Sequence, residues 1–148
     1  MKRIQRILHP SDFSPASAPA FATATEMAKA RRAELILVHV LSPVVPVVGD
    51  GYISPKAYDD LVRSTRAAGQ KQLDSLLARA RKAGVRGRAL LLEGVTHDQI
   101  VRAARSRRAD LIVMGTHGRG GMAKLFLGSV AERVIGSARC PVLTVRKR

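Results

Sequence analysis

The stretch Asp110-Leu111-Ile112-Val113-Met114-Gly115-Thr116-His117-Gly118, followed after nine residues by Gly128-Ser129, decides how this chain is read. Residues 110–114 have the character of a buried strand, and residues 130–138 carry a helical pattern. A strand, a glycine-rich turn and a helix start make a phosphate cradle. Glycine lets backbone N–H groups approach an anion without a Cβ in the way, and the helix start offers unpaired donors and a partial positive charge. Ser129 with Glu132 three residues on fits a capping box. The same letters also describe a glycine-rich surface loop before an ordinary capped helix, and local pattern does not separate the two. A Walker-type loop from Gly115 fails, because Gly121 stands where lysine is required. Gly118-Arg119-Gly120-Gly121-Met122-Ala123 fits G-x-G-x-x-A, but no acidic residue follows near Arg139, where a dinucleotide site needs one.

Gly115-x2-Gly118-x9-Gly128-Ser129 resembles the nucleotide-binding motif of the universal stress protein family, in its ATP-binding branch. The segment Ser11-Asp12-Phe13-Ser14 and the closing Cys140-Pro141-Val142-Leu143 are similar to that family as well. The resemblance covers nearly the whole chain. It implies an ATP site built from Pro10, Asp12, Val40, Met114, Gly115, Gly118, Gly128, Ser129 and Val130. In that site the base lies near Val40, Asp12 lies near the ribose or a bound Mg2+, and the phosphates lie over the glycines. It also implies the strand order 3-2-1-4-5 and a homodimer paired through the last strand. One position departs from the pattern: Ala131 stands where many ATP-binding members carry threonine or serine.

Working outward, 148 residues suit one domain, residues 1–148, with a core of its own. The 46% hydrophobic content is globular, and only 3% is aromatic, so the core is aliphatic. No apolar run approaches the roughly 18 residues of a membrane span, and the basic N-terminus lacks the apolar stretch of a secretory signal. A lone cysteine, Cys140, suits the reducing cytoplasm and reads as a small packed thiol. The formal net charge is +15, and residues 101–148 hold 11 Lys/Arg against Asp110 and Glu132. A basic face beside a glycine loop favours polyanions such as ATP and could recruit nucleic acid, but the scattered arginines read first as a solvated surface with no specific partner. Nucleic-acid binding is expected to be weak and nonspecific, because the arginines are scattered in sequence and aromatic stacking residues are nearly absent.

In chain order, residues 4–8 read as the first strand, ended by His9-Pro10. Asp12 then falls just past its carboxyl end, where ligands bind in open α/β sheets; it also reads as a plain turn residue. Ser14-Pro15 suits a helix start, although Pro19 one turn later postpones regular helix to about Ala20. The continuous apolar run 34–40 has the signature of a strand buried on both faces. Ser54-Pro55 opens a long helix to about residue 83, interrupted by Gly69 and closed by Gly84. Residues 88–92 form the third strand, and Thr96 with Gln99 a capping box for the next helix. Residues 122–127 read as a partial turn, and residues 141–145 as the final strand. Strands alternating with helices specify a parallel sheet with helices on both faces.

His9 and His39 lie near strand ends, His97 reads as a solvent-facing first-turn residue and His117 as an exposed loop residue; none has metal-ligand spacing with another. No G-x-S-x-G elbow and no flanking pair of carboxylates is present, and Asp12 alone is a candidate for holding a metal during phosphoryl transfer. The expected protein is an ATP-binding stress-response factor, a nucleotide-dependent switch rather than a dedicated enzyme. Its alternatives are a basic polyanion-binding module and a slow ATPase.

Overall fold

The computed structural model describes residues 2–43, 53–117 and 127–148. The elements run β1 (Arg6–Pro10), α1 (Ala18–Arg31), β2 (Glu34–Leu41), α2 (Pro55–Lys82), β3 (Gly87–Glu93), α3 (Thr96–Ser106), β4 (Leu111–Gly115), α4 (Ser129–Ser137) and β5 (Val142–Val145). The five strands form one sheet in the order β3-β2-β1-β4-β5, and every pairing is parallel. Chain order therefore reverses between β1 and β4, the crevice in which open parallel sheets bind ligands.

Strand alternation builds two apolar layers. Ile7, Leu35, Leu37, Leu111 and Val113 face Phe21, Ala24 and Ala28 of α1 and Leu73 and Ala80 of α2. Leu8, Ile36, Val38, Ile112 and Met114 face Ile100, Ala103 and Ala104 of α3 and Ala131 and Val134 of α4. Burial on both faces is why these strands read as unbroken apolar runs. Gly69 has a packing reason: a Cβ there would lie 3.3 Å from Leu91 and 3.4 Å from His39 and Leu41, so its absence lets α2 settle closely on β2 and β3. The same helix opens on Ser54, whose hydroxyl accepts the Ala57 N–H at 3.1 Å, and ends ahead of Gly84 at φ +86°. No helix among the described residues is long and apolar enough to cross a membrane.

Four local expectations are corrected. β1 runs two residues further than residues 4–8, through His9 and Pro10, because both are aligned with β2 partners Leu37 and Val38. α1 begins at Ala18 rather than at Ser14-Pro15, which places Pro19 in the first turn, where no N–H is needed. The segment before it is held as turns, with Phe13 at φ +62°. α3 is capped by Val95, so Thr96 is already inside the first turn and its hydroxyl makes no cap bond. In the same way Gly128 is the cap of α4, and Ser129 does not cap it.

The strand entrance at the opposite end is pinned by Asp110. Its Oδ2 accepts the N–H groups of Gln5 at 2.9 Å and Arg6 at 3.0 Å, and Lys2 Nζ lies 3.3 Å from Oδ1. Burial pushes this carboxyl up, but the two N–H donors and Lys2 together hold it below its usual value.

Candidate functional site

The residues singled out from sequence collect at the carboxyl edge of the sheet. Pro10 ends β1, Asp12 follows it, Val40 lies one residue from the end of β2, and Met114-Gly115 end β4. Gly128, Ser129 and Val130 form the start of α4. Met114 is buried, and half-buried Val40 and Val130 pack against the same α3/α4 layer. Gly118 and residues 122–126 of the expected partial turn lie outside the described residues. Ala131, the departure from the family pattern, is buried in that apolar layer.

Two loops meet there. The first leaves β1: Ser11 N–H donates to Val38 O at 2.8 Å, carrying the β1–β2 ladder one residue past the strand. Asp12 Oδ1 then accepts the Ser14 N–H at 3.0 Å, and Ser11 Oγ accepts the Phe13 N–H at 3.1 Å. These short side-chain bonds hold a tight turn that projects Asp12 beyond the sheet. The second loop leaves β4. Thr116 N–H donates to Val145 O at 3.1 Å, and its carbonyl accepts the Gly128 N–H at 2.7 Å. A Cβ on Gly128 would lie 2.9 Å from that carbonyl oxygen, a distance real Cβ atoms do not tolerate. Only glycine can bring the start of α4 back onto the end of β4. The closure leaves the first-turn N–H groups of α4 beside the strand end, as a cradle for an anion requires.

Three polar residues under these loops went unassigned in the sequence. His9 is fully buried in β1, and its Nδ1 donates to Val113 O at 2.8 Å. Its Nε2 is buried without a hydrogen-bond partner among the described residues, and the ring centroid lies 5.9 Å from that of Phe21. Burial pushes its pKa down to about 4, against the upward pull of the Val113 carbonyl and Asp12, so the imidazole is neutral at pH 7. His39 Nδ1 donates to Ser11 O at 2.7 Å while its ring stacks on Phe13 at 4.3 Å, buttressing the Asp12 turn from behind. Thr116 is buried, with Oγ1 2.9 Å from His117 Nδ1. His117 is therefore turned inward and half-buried, not the exposed loop residue that its position suggested. The signal for His9 lay in strand alternation: two residues after Ile7, it faces the same layer.

Among the described residues there is no group of three or more His, Cys, Asp or Glu side chains able to hold a metal.

Comparison with known proteins agrees with this geometry. The sequence model of the universal stress protein family matches residues 3–146. A universal stress protein of Methanocaldococcus jannaschii is 38% identical over 145 residues, 97% of this chain and 82% of the relative. Among solved structures, a universal stress protein in complex with cAMP superposes with a TM-score of 0.73 at 25% identity, covering 98% of both chains. The universal stress protein of Archaeoglobus fulgidus in complex with dAMP gives 0.66 at 25% identity, covering 98% of this chain and all of its own. A parallel 3-2-1-4-5 sheet, a glycine-closed loop at its switch point and a family match from end to end lead to one conclusion: the chain belongs to the universal stress protein family.

Proposed function

We propose that this protein binds an adenine nucleotide, ATP accompanied by Mg2+, at the carboxyl ends of β1, β2 and β4, and acts as a nucleotide-dependent regulator in a stress response. The observation that carries the reading is the closure of Gly128 onto Thr116, which brings the start of α4 to the switch point of the sheet. In this reading the base lies against Val40, with Pro10 and Met114 beside it. Asp12 meets the ribose or Mg2+, and the phosphates lie over Gly115, Gly118, Gly128, Ser129 and Val130. The relatives bound to cAMP and dAMP support adenine as the base. The full triphosphate rests on the spaced glycine pattern. The protein works as one domain in the cytoplasm, where the free thiol of Cys140 stays reduced. Two copies pair through the edge strand β5.

Calorimetric titration with Mg-ATP tests the reading. Asp12→Asn keeps the oxygen that accepts the Ser14 N–H but removes the charge. It should weaken Mg-ATP binding about tenfold, a typical effect of losing one charged contact, and leave thermal unfolding unchanged. No heat of binding for the parent, or equal affinity in the folded variant, refutes the site.

A further inference from the structure

At the other end of the strands, α3, the turn into β4 and the turn into β5 enclose an open groove of about 630 Å³. Arg102 and Arg105 enter it from α3, Arg108 from the turn ahead of β4 and Arg139 from the turn ahead of β5. Its one acid, Asp98, is already paired with Arg102 at 2.9 Å. No ion pair or hydrogen bond among the described residues engages the guanidinium groups of Arg105, Arg108 or Arg139, and all three are exposed. Arg105 can be explained by the last turn of α3, where a cation complements the helix dipole. That leaves Arg108 and Arg139 unexplained, since they come from two different turns and still converge on the same hollow. Gathering like charges opposes folding, so the cluster is a cost that an external anion would offset.

We propose that this groove binds the phosphate backbone of a nucleic acid, without reading its bases. Guanidinium forks match phosphate oxygens two bonds at a time. Several of them along one groove suit a chain of phosphates better than a single ion. Its lining holds no Phe, Tyr, Trp or His, so it lacks the rings that stack bases, and contact stays with the backbone. The site is separate from the nucleotide cradle, because it lies before β4 and β5 and the cradle lies after β4, roughly 15 Å away along a five-residue strand. Arginines that look scattered in sequence are thus drawn together by the turns that feed two neighbouring parallel strands.

The test separates a groove from diffuse charge. Fluorescence anisotropy of labelled oligothymidine and of a short duplex is followed from about 50 to about 200 mM salt, the range over which phosphate contacts weaken steeply. The parent is compared with Arg105→Gln/Arg108→Gln/Arg139→Gln and with a control carrying the same charge change elsewhere, Arg31→Gln/Lys71→Gln/Lys82→Gln. The three control residues are exposed on α1 and α2, and no side-chain hydrogen bond or ion pair among the described residues engages them. The groove variant should lose about tenfold or more in affinity at low salt. Its salt slope on the single strand should fall by about two, near 0.7 for each contact removed. The control should change little, and Mg-ATP titration should be the same in all three proteins. Equal losses in groove variant and control overturn the proposal. So does no binding by the parent, or tighter binding of poly-glutamate or inorganic polyphosphate than of oligothymidine at matched charge.

Discussion

Acidification from pH 7 to pH 4 should titrate His9 against the fold. The ring is fully buried in the central strand β1, and its Nδ1–H is committed to the Val113 carbonyl. A second proton must therefore go to Nε2, which is buried with no hydrogen-bond partner among the described residues. Burial holds the native pKa at about 4, whereas an unfolded histidine titrates near 6.5. Between those values the unfolded chain takes up a proton that the native chain refuses. Native stability is thus fully present above about pH 6.5 and falls as pH drops toward 4. The interval corresponds to about 3 kcal/mol, at roughly 1.4 kcal/mol per pH unit. For a protein of this size that is a large share of a total near 5–15 kcal/mol.

Urea unfolding of the parent and of His9→Gln, at several pH values across this range, isolates the effect. Glutamine stays neutral throughout, and its amide can donate to Val113 O, so the other titrating groups cancel in the difference. The parent should lose about 3 kcal/mol relative to the variant between pH 7 and pH 4, and nothing above pH 7. A difference that does not change with pH would refute the assignment of His9 as a buried neutral imidazole.

Gly128→Ala should weaken Mg-ATP binding about tenfold and lower stability by about 1–2 kcal/mol, because its Cβ would press on Thr116 O at 2.9 Å; titration and urea midpoints give the two numbers. Ser129→Ala should leave stability within about 0.5 kcal/mol, since the hydroxyl caps nothing, while costing Mg-ATP roughly 1 kcal/mol if that hydroxyl meets a phosphate. Asp110→Ala should cost about 2 kcal/mol at pH 7, because two strand-entry N–H groups lose a charged acceptor. That contribution is present above about pH 4 and fades as pH falls through the lowered native pKa, so the gap between parent and variant in urea should close in acid. For the dimer, Leu143→Lys sets two like charges across the two-fold axis of a β5 pairing, and sedimentation should show monomers where the parent shows dimers; a monomeric parent at micromolar concentration refutes the interface.

The architecture was legible because burial on two faces leaves little room for polar letters. Residues 34–40 and 110–114 announce themselves as interior parallel strands, and Gly84 stops α2 where its left-handed φ requires. Boundaries were less legible where a polar side chain sits inside an element. His9 reads as the end of β1, since a histidine followed by proline resembles a turn. In the fold its imidazole finds the Val113 carbonyl, and the strand carries on. Pro19 looks like an obstacle when α1 is begun at Ser14; turns anchored on Ser11, Asp12 and Ser14 postpone the helix to Ala18 and place Pro19 in its first turn.

The candidate site shows a deeper asymmetry between what sequence spells and what it implies. The proposed phosphate cradle would be made of backbone groups, so its code is mostly absence: a missing Cβ at Gly128 and a short reach back to Thr116. Spacing alone conveys it, which is why the glycine pattern could be found while the supports beneath it could not. Those supports are side-chain to backbone bonds across long sequence separations, His9 to Val113 and His39 to Ser11. Each depends on strand order, and strand order is what periodicity leaves open. The two loops are consequently tied from below through the sheet: Phe13 stacks on His39 behind Asp12, and His9 bonds the strand that carries Gly115. A site held in this way presents fixed N–H donors to an anion without first having to order its own strand ends, the condition under which weak individual hydrogen bonds add up to useful affinity.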